Sequence, residues 1–175
     1  MIIKYKDKIP VISKTCFIAN STNIIGDVRI GSETNIWFGT TIRADMHYIR
    51  IGKRTNIQDN STIHVTTDIA PTIIGDGVTI GHGAIIHGCT IKDNCLIGMG
   101  SIIMDEVVIN EGSMIAAGAL IPPGSIVPKN TLMVGSPAKP IRKLRTIEKN
   151  EIFERAQHYI DLANDYRKKW IFFQL

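Results

Sequence analysis

The chain has 175 residues and a mass of 19.4 kDa; 44% of the residues are hydrophobic and 21% are charged. This length and balance fit one globular domain with a sizeable core and exclude two large domains, a disordered chain and a membrane protein. The net charge of +4 lies in the last segment, because residues 139–175 carry nine basic and five acidic side chains. A mixed-charge segment of this kind is typical of a solvated helix face, so we expect no nucleic-acid partner.

The three cysteines, Cys16, Cys89 and Cys95, are an odd number without C-x-x-C spacing. This pattern argues against a disulfide framework or a zinc-thiolate site and predicts buried, reduced thiols. The N-terminal residues MIIKYKDKIP show no signal-peptide pattern, and no apolar run approaches the length of a membrane span. We therefore expect a cytoplasmic location and no membrane partner.

The first segment, from Ile2 to Ile18, is predicted to form strands that cap one end of a coil. Along most of the chain, aliphatic residues return every six positions. The repeating positions are Ile30, Ile36, Ile42, Ile51, Ile57, Ile63, Ile74, Ile80, Ile86, Ile91, Ile97, Ile103, Ile109, Ile115 and Ile121. A sustained period of six, with turn-forming residues between, predicts a parallel β-helix built from hexapeptide repeats. Three hexads close one triangular turn, and the isoleucines stack inside. We assign residues 1–138 to this β-helix and its cap strands.

Residues 139–175 are predicted as a C-terminal segment containing an amphipathic helix that begins near Thr146. Its apolar positions recur at intervals of three and four residues: Ile152, Ala156, Tyr159, Ile160, Ala163, Tyr166 and, one turn further on, Trp170. A lone amphipathic helix needs tertiary packing. We expect it to dock along the coil of its own or a neighbouring subunit, which makes the fold all-β with a C-terminal helix.

The repeat register places three of the five histidines. His64 and His87 follow inward isoleucines one full turn apart, so both point outward on one face, separated by roughly the 4.8 Å strand spacing. His82 lies on the next face, where only a neighbouring subunit's His82 can reach the other two. Three imidazoles with a vacant fourth position are typical of a catalytic zinc site, and they predict a trimer with the metal at each interface. We interpret His47 and His158 as surface residues.

The same register places five further polar side chains near these histidines. Arg43 falls in the column of His64 and His87, while Asn56, Gln58 and Asp59 lie under His82 on the opposing face. Asp45 and Asp59 are candidate partners for Arg43, the latter across the interface. The charged residues suit interface contacts and substrate contacts about equally, and we treat Arg43, Asp45 and Asp59 as structural supports.

The outward amide side chains of Asn56 and Gln58 allow two interpretations. Asn56 and Gln58 suit turns, but their position beside the inferred metal favours a functional role. Tyr159 more readily fits packing on the helix face, by its spacing.

Several motifs in this part of the chain resemble those of the gamma-class carbonic anhydrase family, including its short members. They are I-R-A-D at 42–45, T-N-I-Q-D at 55–59, I-H at 63–64, V-T-I-G-H-G-A-I-I-H-G-C at 78–89, G-M-G at 98–100, P-P-G at 122–124 and G-S-P-A-K at 135–139. The likeness covers nearly the whole chain. The hexapeptide repeat is shared with many acyltransferases, whereas the spacing of the histidines together with R-x-D and N-x-Q-D is specific.

The resemblance implies a left-handed coil and a homotrimer with metal at each interface. The ligands that it implies are His64, His82 and His87. It also implies an interface salt bridge between Arg43 and Asp59.

The remaining implied roles belong to Gln58 and Asn56, which would hold bound water or bicarbonate, and to Tyr159, which would approach the pocket from the C-terminal helix. The chain departs from the founding enzymes at two features tied to proton export. Met46 stands where they carry a Glu, and the short segment HVTTDIAPT replaces their acidic loop and offers only Asp68 as a shuttle.

The leading functional hypothesis is reversible hydration of CO2 to bicarbonate, in which the metal lowers the pKa of bound water to about 7. Zinc fits three imidazoles, and Fe(II) or Co(II) would also fit. One rival is a hexapeptide-type acyltransferase or thioesterase that acts on CoA derivatives with a histidine as general base. The other is a non-catalytic metal- or siderophore-binding or assembly protein.

Overall fold

The computed structural model describes residues 1–169, so Trp170 of the predicted apolar stripe lies outside the described residues. Within them the chain forms a parallel β-helix of about seven turns followed by one α-helix. The strands in chain order are β1 (Ile2–Ile3), β2 (Val11–Ile12), β3 (Phe17–Ile18), β4 (Asn23–Ile30), β5 (Asn35–Ile36), β6 (Thr41–Ile51), β7 (Asn56–Ile57), β8 (Thr62–His64), β9 (Thr72–Ile74), β10 (Thr79–Ile80), β11 (Ile85–His87), β12 (Thr90–Ile91), β13 (Leu96–Ile97), β14 (Ile102–Ile103), β15 (Val108–Ile109), β16 (Met114–Ile115), β17 (Leu120–Ile121), β18 (Ile126–Val127), β19 (Thr131–Gly135) and β20 (Ala138–Lys143). The helix is α1 (Thr146–Lys169).

Three faces surround the core. The His82 face contains β3, β5, β7, β10, β13, β16 and β19 in spatial order, and the His64 face contains β6, β8, β11, β14 and β17. The third face contains β6, β9, β12, β15 and β18, and it joins the His64 face because the long β6 runs through a corner. Each strand thus pairs with the strand one turn away, as the hexapeptide repeat predicts.

The repeating isoleucines form the core, and all fifteen predicted inward positions are buried, none more than 4% exposed. Registers such as Ile57 beside Ile80 and Ile63 beside Ile86 stack them one above another. Burial of an isoleucine side chain stabilises a fold by roughly 1.5–3 kcal/mol. This column therefore holds the coil together and fixes which residues face outward.

The two ends of the coil are covered by different parts of the chain. At the first end, β1 and β2 pair with β4, and β3 pairs with β5, so the N-terminal strands build the first turn as predicted. At the other end, β20 pairs antiparallel with β19. Strand β20 runs to Lys143, so β structure continues past residue 138, the predicted end of the β-helix.

Helix α1 begins at Thr146, the predicted start. Glu148 lies in its first turn and accepts a hydrogen bond from the backbone N–H of Arg145 at 2.8 Å, the return half of a capping box. Four residues of the predicted apolar stripe are buried: Ile152, Ala156, Ile160 and Ala163. The helix packs on the His82 face of its own chain, against β3, β5, β7 and β10. Within residues 1–169, no helix combines the length and the apolar character that crossing a bilayer requires.

Candidate metal centre

Two of the predicted ligands face each other on adjacent turns. His64 and His87 are register partners in β8 and β11, and the Nδ1 of His64 lies 3.1 Å from the Nε2 of His87. The pairing follows from the inward Ile63 and Ile86, which leave the next residue of each strand pointing outward. His64 and His87 therefore lie side by side on adjacent turns, as the repeat predicts.

A carboxylate holds the other nitrogen of each ring. Asp45 Oδ1 lies 3.0 Å from His64 Nε2, and Asp105 Oδ1 lies 2.7 Å from His87 Nδ1. An ionised carboxylate only accepts hydrogen bonds, so each of these ring nitrogens carries the proton in a neutral imidazole. When both rings are neutral, each of the two facing nitrogens then presents a lone pair. Two lone pairs at this distance repel each other unless a cation lies between them.

The pair fits a divalent ion with nitrogen ligands. Two nitrogens about 2.05 Å from a tetrahedral zinc ion would lie about 3.3 Å apart, and the separation found is 3.1 Å. Carboxylates on the outer nitrogens are the usual second layer of such sites. The donor chemistry and the spacing therefore both suit zinc.

Both carboxylates are held in the ionised form. Burial raises the pKa of Asp45, but hydrogen bonds from His64 and Arg43 outweigh it and the pKa lies below its usual value. At Asp105, burial likewise raises the pKa, and hydrogen bonds from Thr66 and His87 bring it below the usual value. Each aspartate can therefore accept a ring N–H at neutral pH.

His82 lies on the neighbouring face, as the register predicts. Its Nδ1 is 2.9 Å from Asp59 Oδ2, and its side chain is 47% exposed. Among residues 1–169 of a single chain, no three His, Cys, Asp or Glu side chains come together so that they could hold a metal ion. A third histidine for the His64 and His87 pair would have to come from another subunit.

Gln58, one of the two predicted amides, lies beside His82 in the wall of a cavity of about 300 Å³, and Asn56 lies behind it. The Nε2 of Gln58 donates to Asn56 Oδ1 at 3.1 Å, and the Nδ2 of Asn56 donates to Thr79 Oγ1 at 2.8 Å. Both amides are buried, and Gln58 lines the cavity together with His82 and Tyr159. This chain of donors leaves the carbonyl Oε1 of Gln58 as an acceptor.

The Tyr159 side chain contacts both an aromatic neighbour and the cavity. Its ring meets Trp37 edge to face with centroids 5.6 Å apart, so the predicted packing role is present. It also lines the cavity beside Gln58. Burial raises the pKa of Tyr159, and the nearby charge of Asp59 adds to the effect. The hydroxyl therefore keeps its proton at neutral pH.

The predicted structural supports Arg43, Asp45 and Asp59 make their own contacts within one chain, and these differ from the Arg43–Asp59 salt bridge that the resemblance implies between subunits. Arg43 forms an ion pair with Asp45, whereas Asp59 lies against His82. The contact between Arg43 and a neighbour's Asp59 stays a prediction. The candidate shuttle Asp68 is exposed, and it lines a separate cavity of about 330 Å³ together with Asp45, Met46 and His47.

Similarity to known proteins extends over most of the chain. A carbonic anhydrase of Geobacillus kaustophilus is 49% identical over 167 residues, which cover 95% of this chain and 91% of that protein. The chain belongs to the gamma carbonic anhydrase family. The mitochondrial gamma carbonic anhydrase 2 of Arabidopsis thaliana is 44% identical over 90% of this chain, and the chain spans 58% of that plant protein's length.

Two further matches concern the repeat architecture that this gamma carbonic anhydrase family shares with transferases. The family model described as bacterial transferase hexapeptide (six repeats) matches residues 88–123. The crystal structure of a hexapeptide transferase family protein from Anaplasma phagocytophilum superposes with a TM-score of 0.91 at 44% identity, covering 94% of this chain and 97% of that one. The predicted parallel β-helix with a C-terminal helix and the predicted family are therefore confirmed.

Sequence reasoning missed Asp105 and Thr66, which belong to none of the motifs that carry the resemblance to gamma carbonic anhydrases. The Oγ1 of Thr66 donates to Asp105 Oδ1, the same oxygen that contacts His87. A signal was present, since Asp105 follows His87 by 18 residues, one full turn of three hexads. The register places it beside His87, but only the side-chain geometry shows which way it points.

Proposed function

We propose that this chain is a metal-dependent carbonic anhydrase that interconverts CO2 and bicarbonate at the interfaces of a homotrimer. The observation that carries the proposal is the pair of facing nitrogens of His64 and His87, 3.1 Å apart, with a carboxylate behind each ring. The relatives named carbonic anhydrase support it. The ligand set is His64 and His87 from one subunit and His82 from the next.

The ion would be zinc, because three neutral imidazoles suit it, and Fe(II) or Co(II) would fit the same donors. When bound, the ion supplies Lewis acidity and lowers the pKa of a coordinated water to about 7. All the other groups that act on the substrate belong to the chain itself.

The cavity residues bind and orient the reactants. Gln58 is 5% exposed and its amide is held by Asn56, so its Oε1 accepts a hydrogen bond from water in one fixed direction. The protonated hydroxyl of Tyr159 donates toward a bicarbonate oxygen. The apolar part of the wall, which includes Met99 and Leu96, keeps bulk water away from the reacting carbon. Orientation of this kind lowers a barrier without further charge.

Proton release depends on groups outside the chain. Within the described part of the chain, no carboxylate lines this cavity. Met46 stands where the founding enzymes carry a Glu, and Asp68 lines a different cavity. We therefore propose that external buffer accepts the proton and that hydration slows when the buffer is diluted.

The test is stopped-flow CO2 hydration by zinc-loaded protein at high and low buffer concentration, with chelator-treated protein and His82→Ala as controls. We expect hydration that needs metal, rises with buffer and disappears in His82→Ala together with bound zinc. Unchanged metal content in His82→Ala would overturn the ligand set.

The transferase rival is supported by the name of the solved relative from Anaplasma phagocytophilum. Three histidines at one point exceed what a single general base needs. Acetyl-CoA turnover that survives chelation, in protein that shows no hydration when fully loaded with zinc, would establish that rival. Bound metal without turnover of either substrate would instead establish a binding or assembly role.

A further inference from the structure

The turn of the β-helix that follows His87 places a second carboxylate beside the metal position. Asp105 lies in the corner between β14 and β15, and its Oδ1 is 2.7 Å from His87 Nδ1. The backbone of this corner is held on both sides, because Glu106 N–H donates to Gly88 O at 2.7 Å and Gly124 N–H donates to Asp105 O at 2.9 Å. Asp105 therefore has a fixed position relative to the histidine strand.

The segment inserted after β8 adds a second contact to the same oxygen. Thr66 forms a short turn with Ala70, and its Oγ1 donates to Asp105 Oδ1 at 2.5 Å. The hydroxyl has one proton and donates it in the hydrogen bond to the carboxylate. Toward its other neighbour, the Nδ1–H of His87 at 3.4 Å, the Thr66 oxygen can therefore only accept. Both contacts favour the tautomer of His87 with its proton on Nδ1.

Other corner aspartates serve a different purpose. Asp76 Oδ1 accepts from the backbone N–H of Lys53 at 2.7 Å, and Asp93 Oδ1 accepts from the backbone N–H of Asp76 at 2.8 Å. Those carboxylates bind main-chain donors of the adjacent turn, whereas Asp105 Oδ1 binds the side chains of Thr66 and His87. Asp93 is therefore a matched control for the loss of a corner carboxylate.

We propose that Asp105, held by Thr66, is a positioning residue that fixes the Nδ1–H tautomer of His87 and directs the Nε2 lone pair at the metal position. This inference rests on the proposed function only for the identity of the ion. Asp45 has the corresponding contact with His64 through the other ring nitrogen, because it holds Nε2 and leaves Nδ1 facing His87.

The experiment measures two quantities in Asp105→Ala, Thr66→Val and the control Asp93→Ala. The first is the tautomer of His87 in metal-free protein, read from ¹⁵N chemical shifts of histidine-labelled chain. The second is the zinc dissociation constant, read by competition with a chelator. Circular dichroism and sedimentation show which variants fold and assemble.

We expect Asp105→Ala to weaken zinc binding about 10- to 100-fold and to shift His87 toward the Nε2–H tautomer. Thr66→Val, which keeps the shape of the side chain, shifts both in the same direction by less, and Asp93→Ala changes zinc affinity less than about twofold. If Asp105→Ala fails to fold, Thr66→Val decides. A folded variant at either position with wild-type tautomer and zinc affinity would overturn the proposal.

The two failures are distinguishable. If the wild-type chain takes up no zinc, the proposed function fails, while the tautomer in metal-free protein still tests the role of Asp105. If zinc binds and CO2 is hydrated but Asp105→Ala leaves both measurements unchanged, only the positioning role fails.

Discussion

Gly88 follows His87 and leaves room for the Asp105 side chain. The substitution Gly88→Ala therefore tests how much the contact between Asp105 and His87 contributes to the stability of the protein. Gly88 has φ +50°, and a Cβ at this position would overlap Asp105 Oδ1 and lie 3.2 Å from the Ala70 Cβ. Gly118 is a matched control, because its φ of +66° is equally left-handed but a Cβ there meets nothing within 4 Å. Both variants lose the conformational freedom of glycine, and only one displaces Asp105.

The magnitude follows from these two terms. A non-glycine residue in the left-handed region costs about 1–2 kcal/mol, which applies equally to both variants. A hydrogen bond to a charged group contributes about 1.5–3 kcal/mol when buried. The side chains of Asp105 and His87 are each 34% exposed, so solvent screening reduces the contribution of their pair to about 1 kcal/mol. Gly88→Ala should therefore lose about 1 kcal/mol more than Gly118→Ala.

The assay is urea unfolding of both metal-free variants at one protein concentration, because an oligomer's apparent stability depends on concentration. The zinc affinity of Gly88→Ala should also fall, while that of Gly118→Ala stays at the wild-type value. Equal losses of stability and equal zinc affinities in the two variants would contradict this prediction, because they would show that the position of Asp105 does not depend on the space at Gly88.

Three further predictions follow from the core, the helix start and the cysteines. Ile80→Ala removes a fully buried side chain and should lower the free energy of unfolding by about 2–5 kcal/mol. Ile126→Ala, at a side chain 72% exposed on the third face, should change it by less than about 0.5 kcal/mol in the same urea titration. Two arginine partners hold the pKa of Glu148 well below its usual 4.5. Glu148→Gln should therefore lower the melting temperature at pH 7. Calorimetry should show that the difference in melting temperature between wild type and variant shrinks only as the pH falls below 4.5, because the carboxyl of the unfolded chain becomes protonated there. Burial raises the pKa of the Cys95 thiol to about 12, so this thiol should resist a disulfide reagent at pH 8 in the native protein and react at the rate of unfolding in urea.

The sequence predicts the fold well because a single period controls it. Each hexad contributes one inward isoleucine, so the register that stacks Ile63 on Ile86 also decides that His64 and His87 lie side by side. Few long-range choices remain once three hexads close a turn. The position of α1 along the sequence can be predicted equally well, because its apolar spacing and its start at Thr146 are local features.

The side-chain partners were harder to predict because they depend on direction rather than register. Asp59 suits Arg43 by charge, yet within the chain it contacts His82 at 2.9 Å. Asp105 and Thr66 come from a corner and an insertion, where the period of six gives no side-chain orientation. The cis peptide between Ser136 and Pro137, in the turn that reverses the chain before β20, likewise has no counterpart in the repeat.

The proposed sharing of each metal site between two subunits can be tested by mixing variant chains. His82→Ala keeps the pair His64 and His87, whereas His64→Ala keeps His82, so each homotrimer should lack zinc and hydration activity. In trimers assembled from equal amounts of the two chains, about one quarter of the interfaces would combine an intact pair with an intact His82. Zinc content and CO2 hydration should both recover to about one quarter of the wild-type values. Mixed trimers that regain neither would contradict a site shared between subunits.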